Sequence, residues 1–497
     1  MHFMMKFFLL LSLLALYVGL AAQTNAPIRI EISDEQVDEV YSLTLENKQY
    51  YLIEHQRKTT SKGDQWVLEI FDWNLKKVGN KDLFMPADLG LFDHRLMNDT
   101  ILWLCFAEEN GKHASMMIYK INTNTLNIKQ VYFQGNRKSQ LKAIEVLGSK
   151  LLLIGDEMSF VQTEIAEKQL PTDFQISAPT LPNDANVISS ISDFKRRNVA
   201  LLYLLPKGDD KGFYYAEVGF DGQVVKNRLP EAEKVNVLDG SLVLSDEGDL
   251  LFMGTYNMDF GKQPDEQQIM AEGTYFGKIR ASQFDFFNTI PFAEFSNVFS
   301  TLDYKQQMRL KRRIVDGKEV EVGFKLLVHE QSIKQGDTYI MTTERYFPEY
   351  HYESNFDSRG YMYQMEVFDG YRTSHCIVTA FNGAGRLLWD NFMIVDDIRE
   401  YYLRENVLVF DQSDSSIVMA YYADDAVKSQ VVKGNKVVFK KTEDVVETVM
   451  MENVISESMG RIEKWYDHFF ILSGYQVIIG KNSKKRKVFF FNLITFE

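Results

Sequence analysis

A chain of 497 residues with 45% hydrophobic and 13% aromatic side chains can bury a large core, which excludes both a disordered chain and a small disulfide-stapled one. Its formal net charge of −14 argues against phosphate backbones and anionic membrane surfaces, so no nucleic acid partner is expected. The two cysteines, Cys105 and Cys376, lie far apart inside apolar strand-like runs and read as buried thiols, with a long-range disulfide as the alternative.

At the N-terminus, Lys6 precedes an apolar run over residues 7–18 (FFLLLSLLALYV), followed by Gly19, Leu20, Ala21 and Ala22. A run of about a dozen residues is short of the ~20 needed to span a bilayer. With a positive start and a small-residue exit it predicts a cleavable signal peptide over residues 1–22. The remaining 23–497 hold no second apolar run of ~18 residues, so no transmembrane segment is expected in the mature chain. This pattern predicts export, to a periplasmic, outer-membrane-associated or extracellular position.

Downstream, short β-branched and aromatic runs alternate with Gly, Asn and Asp: WVLEIFDWN from Trp66, KLLLIGD from Lys150, VALLYLLP from Val199, DLLFMGTYN from Asp249 and SIVMAYYA from Ser416. They form a repeating unit, a strand of the "LLLxG" kind, then one that ends in a turn such as Asp72-Trp73-Asn74 or Asn382-Gly383-Ala384-Gly385. Units begin near Leu43, Leu91, Leu141, Val187, Ser241, Phe324, Leu403 and Ile455, and where uninterrupted recur roughly every 45 residues, the size of a four-stranded propeller blade. The third unit is poor in its outer half. The expected fold is all-β, a single seven- or eight-bladed β-propeller with a helical insertion; two β-sandwich domains are the alternative.

Two stretches break the pattern. Residues 261–323 contain Phe292, Phe295, Val298, Phe299 and Leu302 at helical spacing, followed by Lys305, Arg309, Lys311, Arg312 and Arg313, and predict the helical insertion. Residues 344–375 gather Arg345, Tyr346, Tyr350, His351, Tyr352, Tyr361, Tyr363, Tyr371, Arg372 and His375. Tyr and Arg combine large contact area with a polar handle, so these ten are the candidate ligand- or partner-binding residues. The basic run at residues 481–487 reads as a solvated hairpin tip.

No catalytic motif appears. There is no HExxH, EF-hand loop, G-x-S-x-G, P-loop or G-x-G-x-x-G after a strand, so neither metal nor cofactor is expected. The expected function is a non-catalytic envelope scaffold that recognises a protein or glycan. The alternative is a glycan- or peptide-cleaving hydrolase or lyase using Glu344, Glu349 or Asp357 with His351 or His375, the two histidines converging from either side of the insertion.

The end of the signal at Ala21-Ala22-Gln23, the phrases LLFMGTYN and GTYFGKI between Leu250 and Ile279, and FNGAGRLLWDN from Phe381 resemble exported β-propeller-like proteins of Bacteroidota. The resemblance covers most of the mature chain in style. It carries no diagnostic catalytic motif, so it implies a fold and a compartment only.

Overall fold

The computed structural model describes residues 21–496 other than 24–27, 33–36, 62, 87–88, 109–114, 136–139, 157–159, 163–175, 178–179, 183, 207–210, 221–222, 230–233, 259–268, 303, 317–321, 357–358, 360, 447–452 and 480–483. Almost all of the expected signal peptide, residues 1–20, lies outside the described residues. Within them the chain is all-β. Eight sheets of four or five strands follow one another along the sequence. The first is a meander of Val37–Thr44, Tyr50–Thr60, Gly63–Phe71 and Lys77–Met85. The same order recurs in the fourth, fifth and seventh sheets. Each expected unit start lies in or a few residues from the first strand of one sheet. The third sheet is irregular outside its first two strands, where Ile176–Ser177 and Thr180–Leu181 pair parallel to Lys150–Asp156.

Side-chain pattern sets the layering. Second strands such as Asn198–Leu205, Leu250–Asn257 and Ile417–Ala423 are apolar and buried nearly throughout, which requires packing on both faces of the sheet. Fourth strands such as Val224–Arg228 and Lys436–Val445 are largely exposed and carry the charged residues that those second strands lack. Several third-to-fourth turns carry Asp or Asn because their carboxyl or amide oxygen accepts backbone N–H groups two to four residues on. Asp72 accepts from Asn74 and Lys76, Asn122 from Asn124 and Thr125, and Asn382 from Ala384 and Arg386.

Eight hydrophobic clusters lie between successive sheets. Trp66 of the first sheet packs with Phe106 of the second, and Phe276 of the fifth with Phe381 of the sixth. The series returns to its start: Tyr50 and Phe71 of the first sheet pack with Phe491 of the eighth, ring centroids 4.9 and 5.1 Å away. The first and last described strands meet in that eighth sheet, where Ala21–Gln23 and Ile28–Ile32 pair antiparallel to Lys485–Phe496. Cys105 and Cys376 are free and buried in different clusters, where burial raises both thiols.

Two expectations need correction. Within the first insertion, Gly273–Arg280 is the third strand of the fifth sheet, as its GTYFGKI phrase suggests, but Gln283–Pro291, inside the stretch expected to be helical, is the fourth strand. The helix is Tyr304–Val315, after the Phe-rich stretch rather than within it. Phe292–Glu294 and Val298–Thr301 form 3₁₀ turns. Asp390 of the sixth sheet holds this segment in place by accepting from the N–H groups of Ser296 and Asn297, both at 2.7 Å, while Phe292 and Phe295 plug the core beside it. The second insertion is not a loop: it is a strand pair continuous with the sixth sheet.

Candidate functional site

The strands Thr338–Phe356 and Met362–Asn382 pair from Thr338 opposite Asn382 to Phe356 opposite Met362. Their neighbours are shorter. Leu326–Val328 reaches Arg345, and Leu387–Glu400 reaches Tyr371. Beyond these points residues 346–356 and 361–370 form a two-stranded arm, with no further strand on either side among the described residues.

A free two-stranded ribbon is marginal in water. This arm is braced by cross-strand contacts at its root. The Tyr346 and Tyr371 rings meet edge to face at 5.6 Å, and Phe368 packs against Tyr350, Tyr371 and Tyr401 at 5.5, 5.0 and 5.7 Å. Arg372 donates to Glu349 at 2.6 Å, and Arg399 lies 3.2 Å from the other oxygen of that carboxylate. The Arg345 guanidinium sits over Phe324 and Phe347 at 4.7 and 4.8 Å and donates to the Thr301 carbonyl at 3.2 Å. His375 stands opposite Arg345; burial first, then the Arg345 charge, pushes its pKa down to about 4, so the imidazole is neutral. Arg345, Tyr346, Tyr371, Arg372 and His375 therefore form one braced root.

Midway along the arm, His351 Nδ1 lies 2.6 Å from Asp369 and Nε2 3.2 Å from Glu353, and these hydrogen bonds raise its pKa. Tyr350 packs inward on Phe368, whereas Tyr352 is exposed and donates to Glu366 at 3.3 Å. At the far end Phe356, Tyr361, Met362 and Tyr363 are 49 to 71% exposed. The ten candidates are thus strung along the arm rather than gathered around one point. His351 and His375 do not converge. His351 is opposite Val367, and His375 lies roughly 26 Å farther along the returning strand at ~3.3 Å per residue. Of the candidate acids, Glu349 is held by its two arginines, Asp357 is outside the described residues, and Glu344 is buried at the base of the arm.

Glu344 leads to a second site that the sequence did not reveal. The first strands of the second to fifth sheets and the segment around Glu330 line a polar cavity of about 780 Å³. In it Arg95 donates to Asp93 at 2.7 Å and lies 3.7 Å from Glu145, which accepts from Ser190 and Ser192 at 2.6 and 3.0 Å. Next to it, Glu344 Oε1 is 2.8 Å from His329 Nε2 and accepts from the Asn406 and Val407 N–H groups at 2.8 and 2.9 Å. The other oxygen of Glu344 is buried without a hydrogen-bond partner among the described residues.

Burial and crowding of like charge shape the titration here. Burial, then Glu330 and Glu405 against two backbone N–H bonds, pushes Asp239 up to about 6. Burial, then Glu405 and Asp93, raises Glu330. Burial raises Asp93 despite Arg95. Burial alone would lower His329, but the Glu344 hydrogen bond and charge outweigh it and the imidazole is raised. The one sequence signal was a set of polar residues interrupting first strands: Asp93, Arg95, Glu145, Ser190 and Ser192. Their spacing matches no motif because the fold, not the chain, brings them together. Among the described residues no group of three His, Cys, Asp or Glu is arranged to hold a metal ion, and no helix is long and apolar enough to cross a membrane.

No family model matches the sequence, and no curated protein is similar to it. Solved structures that superpose on the chain include an α-L-arabinanase of Penicillium chrysogenum with arabinobiose, at 7% identity and TM-score 0.30, covering 95% of this chain and 99% of that one. The polysaccharide lyase Uly1 superposes at 11% identity and TM-score 0.28, covering 96% and 100%. A eukaryotic initiation factor does so at 10% identity and TM-score 0.32, covering 95% and 93%. At such TM-scores these likenesses carry no argument about fold or function.

Proposed function

We propose that the eight sheets are the blades of a closed propeller, exported to the cell envelope, and that the protein is a non-catalytic scaffold whose arm holds an envelope protein or glycan. The closed order of inter-sheet cores supports the ring over a pair of sandwiches, and pairing of the first described strands with the last in one blade supports its closure. One observation carries the binding reading: an arm that projects past its sheet and ends in exposed Tyr352, Phe356 and Tyr361 rather than in a cupped, titratable pocket. Exposed aromatic side chains gathered on one element suit recognition. The test is capture from envelope extracts by the wild-type chain and by a Tyr352→Ala, Phe356→Ala, Tyr361→Ala variant whose folding is first verified. Loss of a specific protein or glycan by the folded variant is expected. Equal capture by both sinks the reading.

A second reading, cleavage of a glycan or peptide, is favoured by the cavity, where Glu330 is an acid held towards its protonated form near Asp93 and Arg95, with Asp239 held the same way close by. It predicts hydrolytic or lyase turnover that Glu330→Gln abolishes while binding through the arm persists. Absence of turnover across envelope glycans and peptides rejects it.

A further inference from the structure

We propose that the outer edge of the arm's returning strand pairs with the same edge of a second copy of this chain, antiparallel about a two-fold axis at Met365. Leu387–Glu400 stops pairing at Tyr371. The next residue, Gly370, has φ +119, and a Cβ there would lie 2.7 Å from the Glu400 carbonyl, so the end of the neighbour still packs against it while ladder pairing has already stopped. Residues 362–368 then present their outward backbone groups to no strand among the described residues.

Open edges are ordinarily blunted by Lys, Pro or bulges. Other edges here follow that rule. On Lys436–Val445 the exposed Val437, Val438 and Phe439 are flanked by Lys436, Lys440 and Lys441, and the ascending strand of the arm carries Pro348. Residues 362–368 read MYQMEVF, with one charge and neither Lys nor Pro, and both ladder irregularities lie beyond them toward the root.

The segment is also complementary to itself. With Met365 on the axis, Met362 faces Phe368, Tyr363 faces Val367 and Gln364 faces Glu366, so apolar meets apolar and no like charges oppose. A shift of one residue in the axis toward the C-terminus puts Glu366 against its own copy. A shift of one the other way leaves Phe368 with no residue of the described strand opposite it. Pairing would cover Met362, Tyr363 and Met365, which are 64, 49 and 45% exposed. This contact uses residues other than Tyr352, Phe356 and Tyr361 and stands whether or not those bind a partner.

The full chain provides a clean test, because both natural cysteines are buried. In this register residue 365 faces itself at a Cα separation of about 4.5–5.5 Å, within disulfide reach. Residue 363 is displaced from its own copy by roughly 13 Å along the strand. Met365→Cys is expected to give a disulfide-linked dimer on mild oxidation and Tyr363→Cys to stay monomeric under denaturing conditions. By sedimentation, wild type is expected to show a concentration-dependent dimer that Met365→Lys weakens by about tenfold or more and Val438→Lys leaves intact. A monomeric wild type, equal cross-linking at 363 and 365, or an undiminished Met365→Lys dimer overturns the proposal; a monomer that captures a strand of another protein at this edge does so as well.

Discussion

The cavity and the arm are built from the same side-chain types and put them to opposite use. In the cavity, Asp93, Arg95 and Glu145 are packed among first strands, with His329 and Glu344 beside them; burial raises Asp93, and against burial's own pull the neighbouring carboxylates raise Arg95 and His329. In the arm, Glu349, His351, Arg372 and Asp369 pair at comparable distances but face water. Distance alone does not rank these interactions. A carboxylate removed from a dry site leaves a charge with nothing to replace its partner, whereas water fills the gap at an exposed one.

The largest effect that follows is on stability. Glu344→Ala removes the partner of buried His329 and the acceptor of two backbone N–H groups, and is expected to cost about 3–5 kcal/mol in urea unfolding. Glu349→Ala, which frees two partly exposed arginines, is expected to cost at most about 1 kcal/mol. Equal losses would erase the distinction between the two regions.

The same contrast explains what could be read from the chain. The period-two strands, the Asp72, Asn122 and Asn382 turns and the roughly 45-residue unit are local, so the all-β repeat was legible. The Tyr-rich stretch was visible as composition, but its shape was not. Whether tyrosines cap a loop or line a ribbon depends on where the flanking strands stop, at Arg345 and Tyr371. The Phe292–Leu302 stretch has helical spacing, yet its rings are claimed by the core beside Phe324 and its backbone by Asp390, so tertiary contact overrode periodicity. The cavity was invisible because its lining comes from five sheets and shares no spacing.

A smaller effect is on pH dependence. Asp239 has a folded pKa raised to about 6, so the folded state holds its proton more tightly than the unfolded chain does. That contribution is fully present below the unfolded value of about 4 and is lost as pH rises through about 6. Wild type is therefore expected to lose about 1–2 kcal/mol between pH 4 and pH 7 relative to Asp239→Asn, after allowance for the partial solvent contact of the carboxyl. Paired urea melts at the two pH values measure this. A gap that does not change with pH would show that Asp239 is not held neutral. His351 in the arm is raised as well, but it faces water, and His351→Gln is expected to leave the pH profile of unfolding unchanged.

The smallest effect on stability is at the end of the arm, where it sharpens the comparison most. Phe356 is 71% exposed, and Phe356→Ala deletes little buried surface, so unfolding is expected to shift by no more than about 0.5 kcal/mol. The same ring in the core would behave differently: Phe276→Ala, fully buried between the fifth and sixth sheets, belongs to the class that costs about 3–5 kcal/mol. Amide hydrogen exchange separates the regions independently of any mutation. The arm has two strands and few buried contacts beyond Phe368, so its amides at 351–356 and 362–367 should open locally and exchange well before those of Leu250–Asn257, which need global unfolding. Protection in the arm equal to that of the core, at protein concentrations where the chain is monomeric, would mean that something rigid supports its free edges. Protection that appears only as concentration rises would tie the order of the arm to strand pairing at residues 362–368.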